Sequence, residues 1–330
     1  MADLYDTRPI KFKIGREFLA RRLHSLAGIA FLFFLCEHLF TNSQATFFLG
    51  DDGVGFIDAV NWIHSLPYLQ VIEIIFIALP LVVHTWWGIE RLRMAKINSQ
   101  PSDGKNPSLP YSRNIAYTWQ RITSILLIIG IGLHVYFMRF HKEPENVQYG
   151  VKAEYFVKLS VDSGLYVLAP RLNILLFDAH MIAQADSALL EPKHVPDLNV
   201  DTQAFNPDLA LAAKNEEHIH VEKQYVDAMK KLAPDASEVV AMCGSFGTAS
   251  LMMLRDTFKS VWMCVVYTLF VLVACFHGCN GLWTFAITWG VSLSENSRRL
   301  VRVVSNALMA LLIFLGLSSI WGVYWINLRY

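Results

Sequence analysis

The chain has 330 residues and a formal net charge of +0; 54% of its residues are hydrophobic and only 17% charged, with a mean hydropathy of +0.36. That balance excludes an ordinary soluble domain and places the chain in the membrane class. A zero net charge gives no footing for a nucleic-acid partner. The five cysteines include no Cys-x-x-Cys pair, which excludes a zinc knuckle or an iron–sulfur site.

Residues 1–23 form a basic segment with Arg8, Lys11, Lys13, Arg16, Arg21 and Arg22. The apolar run behind it is too long for a cleavable signal and lacks a small-residue cleavage site, so it reads as a retained anchor. Five stretches are long enough to cross about 30 Å of hydrocarbon, which takes about 20 helical residues: 26–42 (extended by 45–50), 69–89, 117–140, 261–290 and 303–327. The expected fold is all-α and integral to the membrane. Spans one to three occupy 24–140 and spans four and five 261–330, with an inserted extramembrane module at 141–260. A structureless connection of that length is implausible in a compact protein. Within it, 152–160 and 164–177 read as strands, 215–232 as a polar-faced helix and 237–255 as a helix leading into span four.

Charge placement orients the spans. Arg91, Arg93, Lys96, Lys105 and Arg113 lie between spans two and three, and Arg298, Arg299 and Arg302 between four and five. The connection between spans one and two has only Asp51, Asp52 and Asp58. By the positive-inside rule the N-terminus is cytoplasmic and the C-terminus outside. The 141–260 segment is then extracytoplasmic.

Four histidines, His38, His84, His134 and His277, fall in four different apolar spans. An ionisable residue at that depth is costly and usually functional. At 1.5 Å per residue, His38 lies roughly 17 Å and His134 roughly 27 Å above the cytoplasmic face, while His84 and His277 both lie roughly 7 Å above it. The four therefore form an outer pair and an inner pair. A four-helix bundle can bring each pair together around a cofactor, and haem iron takes two axial ligands of this kind. A membrane histidine can also bond a neighbouring helix or titrate in a relay. A relay would more naturally carry intramembrane carboxylates, for which Glu37 and Glu73 are the candidates well inside the spans. Two bis-histidine b haems are the preferred reading.

Several strings then resemble one family. Arg21-Arg22-Leu23-His24-Ser25 opens span one, which also carries Glu37-His38-Leu39. Span two follows Ser65-Leu66-Pro67 and holds Leu79-Pro80-Leu81-Val82-Val83-His84. Span three has Gln120-Arg121-Ile122-Thr123 before Leu133-His134-Val135, and span four has Phe276-His277-Gly278-Cys279-Asn280-Gly281-Leu282-Trp283. Together they resemble the cytochrome b membrane anchor of succinate dehydrogenase and fumarate reductase, in its single-polypeptide, five-span, dihaem form. The resemblance covers about 14–140 and 258–327.

It implies a flavoprotein and an iron–sulfur subunit on the cytoplasmic face, succinate oxidation or fumarate reduction in the tricarboxylic acid cycle, and a membrane quinone, usually menaquinone in this form. It implies His84 and His277 as iron ligands of the inner haem and His38 and His134 of the outer. The long 141–260 segment departs from the family's short connection, and Ser124 stands where glycine is common.

Arg22, His24, Ser25, Gln120, Arg121 and Asn280 lie near span ends or near a ligand and suit haem propionates; for the arginines, interfacial anchoring is an equal alternative. Asp58, Asn61 and His64 are weak quinone-site candidates on the outer side, where loop solvation is the simpler explanation. His218 and His220, two apart on a helix, point to different faces and are not read as a metal site. No residue is assigned as catalytic. Two rival functions stay open: a cytochrome b subunit of another membrane dehydrogenase, such as a hydrogenase or formate dehydrogenase, and a haem-free histidine-relay transporter of protons or cations.

Overall fold

The computed structural model describes residues 15–47, 52–94, 111–150, 152–190 and 207–329. Arg8, Lys11, Lys13, Lys96 and Lys105, used above for orientation, lie outside the described residues, as do Asp51 and the 48–50 extension of span one. In chain order the elements are α1 (Arg16–Phe47), α2 (Val54–His64), α3 (Leu69–Met94), α4 (Ser112–His141), β1 (Glu145–Tyr149), β2 (Lys152–Ser160), α5 (Ser163–Arg171), β3 (Leu175–Phe177), α6 (Ala179–Leu190), α7 (Pro207–Leu232), β4 (Glu238–Cys243), α8 (Phe246–Thr257), α9 (Val261–Thr288) and α10 (Glu295–Arg329). Five of these helices, α1, α3, α4, α9 and α10, are long and apolar enough to cross a membrane. The architecture is an all-α membrane protein with one small sheet.

Four of the five long helices extend beyond the apolar stretch read from sequence, because their polar ends still hold helical backbone, whereas α9 stops at Thr288, two residues short of the expected end. Two carry π turns. One, Ile74–Ala78 in α3, ends two residues before Pro80. Proline has no N–H for the carbonyl four residues back and its ring clashes with it, so the backbone widens there. The other, Tyr136–His141, ends α4, closed by Lys142 N–H donating to Phe137 O at 2.9 Å.

Contacts divide the chain into two compact units: Met1–Glu37 with Gln70–Ile128 and Leu272–Leu312, and His38–Leu69 with Ile129–Val271 and Ile313–Tyr330. The first consists of helical segments from α1, α3, α4, α9 and α10. The second holds the remaining helical segments, α2 and the sheet.

The sheet is antiparallel throughout, in the order β1-β2-β4-β3. Central strand β4 sends Val239, Ala241 and Cys243 to one face, where Val157, Leu159, Leu165, Ala169, Ala249 and Met252 join them. Val240 points to the other face with Phe156, Val147, Ile182, Val226 and Met229. Both faces are therefore covered, and β4 reads in sequence as a continuous apolar run without alternation. This corrects two expectations. Residues 237–255 are not one helix but β4 followed by α8, whose start is set by Ser245 accepting from Thr248 N–H at 3.1 Å. Residues 164–177 are not a strand throughout. Asp162 caps Leu165 N–H at 2.9 Å and starts α5, which gives way through Asn173 (φ 53°) to the short β3. Asparagine tolerates that left-handed turn better than most residues.

Helix α2 lies against α8. Asn61 Oδ1 accepts Gly247 N–H at 2.8 Å, and Asn61 Nδ2 donates to Ser245 Oγ at 3.1 Å. A Cβ on Gly247 would collide with the Ile57 carbonyl and lie 2.9 Å from Asn61 Oδ1, so glycine is required for this approach.

A charged network secures the module's base. Arg255, 6% exposed, forms a two-pronged pair with Asp162 at 2.6 and 3.0 Å. Lys259 reaches Asp162 at 2.5 Å and Asp256 at 3.2 Å, and Lys142 reaches Asp256 at 3.1 Å. Ser160 N–H donates to Asp256 as well, at 3.0 Å. The pairing ties the ends of α4, β2 and α8 to the residues leading into α5 and α9.

Candidate functional site

The structure brings the four membrane histidines together in two pairs, each inside its own unit. In the first unit the rings of His84 (α3) and His277 (α9) have centroids 6.1 Å apart, at 82° to each other. In the second, the rings of His38 (α1) and His134 (α4) are 5.8 Å apart at 80°.

His24 of α1 stacks on His84 with centroids 4.0 Å apart and planes at 13°. The two form a reciprocal clasp: His24 Nδ1 meets the His84 carbonyl and His84 Nδ1 the His24 carbonyl, both at 3.0 Å. A carbonyl oxygen only accepts, so both imidazoles donate from Nδ1. Gly28 makes room for the arrangement, since a Cβ there would lie 2.8 Å from His84 Cε1. On the other side of the pair, His277 Nδ1 lies 3.1 Å from Thr123 Oγ1. That hydroxyl already donates to the Trp119 carbonyl at 2.8 Å, so its oxygen accepts from His277.

In the second pair, His134 Nδ1 lies 3.2 Å from the Tyr267 hydroxyl. The Phe270 ring sits 5.7 Å from the His134 ring. Asn42 Nδ2 donates to the His38 carbonyl at 2.7 Å and holds that turn of α1.

In His84, His277 and His134, Nδ1 is thus engaged, so that Nε2 is the nitrogen that could hold a metal. Metal-ligating histidines bond their second nitrogen in the same manner. The separations suit one metal ion between two rings, because nitrogen–metal bonds of roughly 2 Å plus two ring radii place the centroids roughly 6 Å apart. Among the described residues no group of three or more His, Cys, Asp or Glu side chains could hold a metal ion. Two imidazoles fit haem, whose macrocycle supplies the remaining ligands of the iron.

Five of the six residues proposed for propionates, Arg22, His24, Gln120, Arg121 and Asn280, have other partners here. Gln120 donates to the His277 carbonyl at 3.0 Å and accepts from Asn280 at 2.7 Å, bridging α4 to α9. The Arg22 guanidinium covers Phe18 and Trp289, and that of Arg121 covers Tyr117. Ser25 is half-buried. Arg113 and Arg302 both lie against the ring of Trp283, at 4.9 and 5.4 Å.

The three quinone-site candidates do not form a cluster of free donors. Asn61 is committed to α8 as described, and His64 stacks on Phe246 with centroids 4.3 Å apart. Asp58 is exposed. Along α7, His220 pairs with Gln224 and His218 with Glu222. Thr123 and Tyr267 are the polar neighbours that sequence reasoning missed. Thr123 stands 154 residues from its partner and Tyr267 stands 133, and nothing local links either to a histidine.

No family model matches the chain, and no solved structure matches it. Among curated proteins it is similar to the succinate dehydrogenase cytochrome b558 subunit of Bacillus subtilis (strain 168), with 23% identity over 309 residues that cover 93% of this chain and 98% of that protein.

Proposed function

We propose that the chain is the cytochrome b membrane anchor of a succinate:quinone oxidoreductase, holding two b haems between paired histidines. The observation that carries this reading is the repeated geometry of two perpendicular imidazole pairs, 6.1 and 5.8 Å apart. Similarity to the cytochrome b558 subunit over most of both chains supports it. One-electron carriage between an iron–sulfur subunit and a membrane quinone, menaquinone by the family resemblance, is the chemistry the haems supply when bound.

The chain's own residues do the holding. His84 and His277 would hold one haem iron through Nε2, and His38 and His134 would hold the other. The His24 clasp and the Thr123 hydroxyl fix ring planes and tautomers, and the surrounding apolar side chains exclude water. Arg22, His24, Ser25, Gln120, Arg121 and Asn280 remain candidates for the propionates, with Gln120 and Asn280 first to exchange their mutual bond for a carboxylate. Asp58, Asn61 and His64 would serve a quinone only if the α2–α8 contact opened. The basic connections support an N-terminus on the cytoplasmic side of a bacterial inner membrane, the side on which the family resemblance implies the flavoprotein and the iron–sulfur subunit. The C-terminus and the 141–260 module lie outside.

The test is a reduced-minus-oxidised visible spectrum of the purified complex with pyridine-haemochrome quantification. Two b haems per chain are expected. A colourless chain matured with ample haem supply would overturn the reading and favour a histidine relay. Co-purification with hydrogenase or formate dehydrogenase subunits in place of a succinate-oxidising flavoprotein would reassign the partner.

A further inference from the structure

We propose that Tyr267 is the positioning residue of the His38–His134 centre: its phenol oxygen accepts the Nδ1–H of His134 and so sets the redox potential of that centre alone. The proposal rests on the haem reading above.

The aromatic body of Tyr267 is explained by packing. Its ring meets Phe258 at 5.3 Å, His134 at 5.7 Å and Phe270 at 6.2 Å, each edge-on. A phenylalanine would make the same contacts. The hydroxyl is what packing leaves unexplained, because a polar group in hydrocarbon costs roughly 1–3 kcal/mol unless it is bonded. It is bonded to His134 Nδ1, at 3.2 Å. With Nε2 of His134 on a metal, Nδ1 carries the proton and Tyr267 must be the acceptor.

Such a bond makes the imidazole a stronger donor, which favours the oxidised metal and lowers the midpoint potential. The two pairs differ in this respect. His84 donates to a backbone carbonyl and His277 to the Thr123 hydroxyl. His134 donates to a phenol, whose lone pairs are partly drawn into the ring and which accepts more weakly. One polypeptide can thereby hold two centres with like ligands at unlike potentials.

The experiment is a potentiometric titration of the intact complex, resolved into its two haem components, for wild type, Tyr267→Phe, Tyr267→Leu and Thr123→Val. Tyr267→Phe keeps the ring and removes the acceptor. It is expected to raise one component by about threefold to tenfold in its reduced-to-oxidised ratio at fixed potential, ~30–60 mV at ~59 mV per tenfold for one electron. Tyr267→Leu should shift that component equally, and Thr123→Val should shift the other. Loss of one haem in Tyr267→Phe with the second retained would support the same role more strongly. Two haems with unmoved potentials in Tyr267→Phe would overturn this proposal and leave the haem reading standing. A shift in Tyr267→Leu alone would reduce Tyr267 to packing. Movement of the same component by Tyr267→Phe and Thr123→Val would overturn the separate assignment. Absence of haem from wild type would remove the parent reading and this one together.

Discussion

The membrane helices and the sheet module solve the problem of a unique fold in opposite ways. Along the helices, large apolar side chains such as Phe33, Phe76 and Val82 face outward, each more than 60% exposed. Their interior contacts depend on sparse polar groups: Gln120 with Asn280, Thr46 donating to the Ser318 carbonyl, and Trp321 donating to Thr268. In the module, Phe156, Leu165, Val240 and Met252 are fully buried, and charge is kept to the surface except at the Asp162–Arg255 network. Lipid tails are as apolar as leucine, so burial of apolar surface cannot choose between helix faces, whereas packing and hydrogen bonds can. In water the hydrophobic effect makes that choice directly. The same substitution should therefore act very differently in the two regions.

The largest effect is expected where polar groups are rarest. His84→Ala or His277→Ala should abolish one of two b haems, and His38→Ala or His134→Ala should abolish the other, each halving the haemochrome yield. Retention of both haems in any of the four variants would break the pairing. Next, Phe156→Ala should cost the module about 3–5 kcal/mol, since it empties a fully buried site on one face of the sheet. Limited proteolysis at 145–257 reads this loss, and the two-haem spectrum should persist. If the spectrum collapses with the module, the two regions are not separable in the way the comparison holds.

Asp162→Asn is expected to cost roughly 3 kcal/mol, because it leaves the buried Arg255 guanidinium without its charged partner. Burial on its own would raise the Asp162 carboxyl, but Arg255 and then Lys259 outweigh it and hold it far below the ordinary carboxylate range. A depressed pKa contributes stability above the unfolded value near 3.8, lost only as the pH falls through the folded one. Asp256 behaves alike: burial is outweighed by Lys142, the Ser160 N–H and Lys259. Acid melts of wild type should hold steady down to about pH 4 and fall below it. A flat curve to lower pH would remove the network's role.

Legibility in the sequence follows the same division. The five long helices are evident because about 20 apolar residues in a row leave no other reading. The convergence of His38 with His134 and of His84 with His277 follows from helical rise, a local quantity. The module is harder to read because its order is made by contacts across long separations. β4 is apolar on every residue from Val239 to Cys243 since both faces are covered, so no alternation marks it as a strand. α5 carries its signal at Asp162, a capping residue that competes with the β-rich run behind it. α2, in the connection between spans one and two, is hard to read in sequence because its partner α8 lies more than 180 residues away. Thr123 and Tyr267 belong with these: each is an ordinary helical residue until a histidine on another helix gives it a role.

The smallest effect separates the module from the helices by pH alone. Cys243 ends β4 with no exposed surface, and burial, followed by the nearby Glu154 carboxylate, pushes its thiol from 9.0 up to about 12. A raised pKa leaves the contribution intact below the unfolded value and removes it as the pH climbs toward the folded one. Between pH 9 and 10 the loss should be about 1 kcal/mol, since the unfolded thiol is half ionised at pH 9 and nearly fully ionised at pH 10 while the folded one stays protonated. Tyr155 and Tyr225, both raised above their ordinary value by burial, also lose stability at alkaline pH, so the informative quantity is the difference between wild type and Cys243→Ala. The alanine variant starts lower, having lost a sulfur from a close-packed face, but its stability should decline less steeply above pH 9. Parallel decline of the two proteins would show that the thiolate is accommodated at the β4 end, contrary to a core closed on that face by Tyr155, Ala249 and Met252.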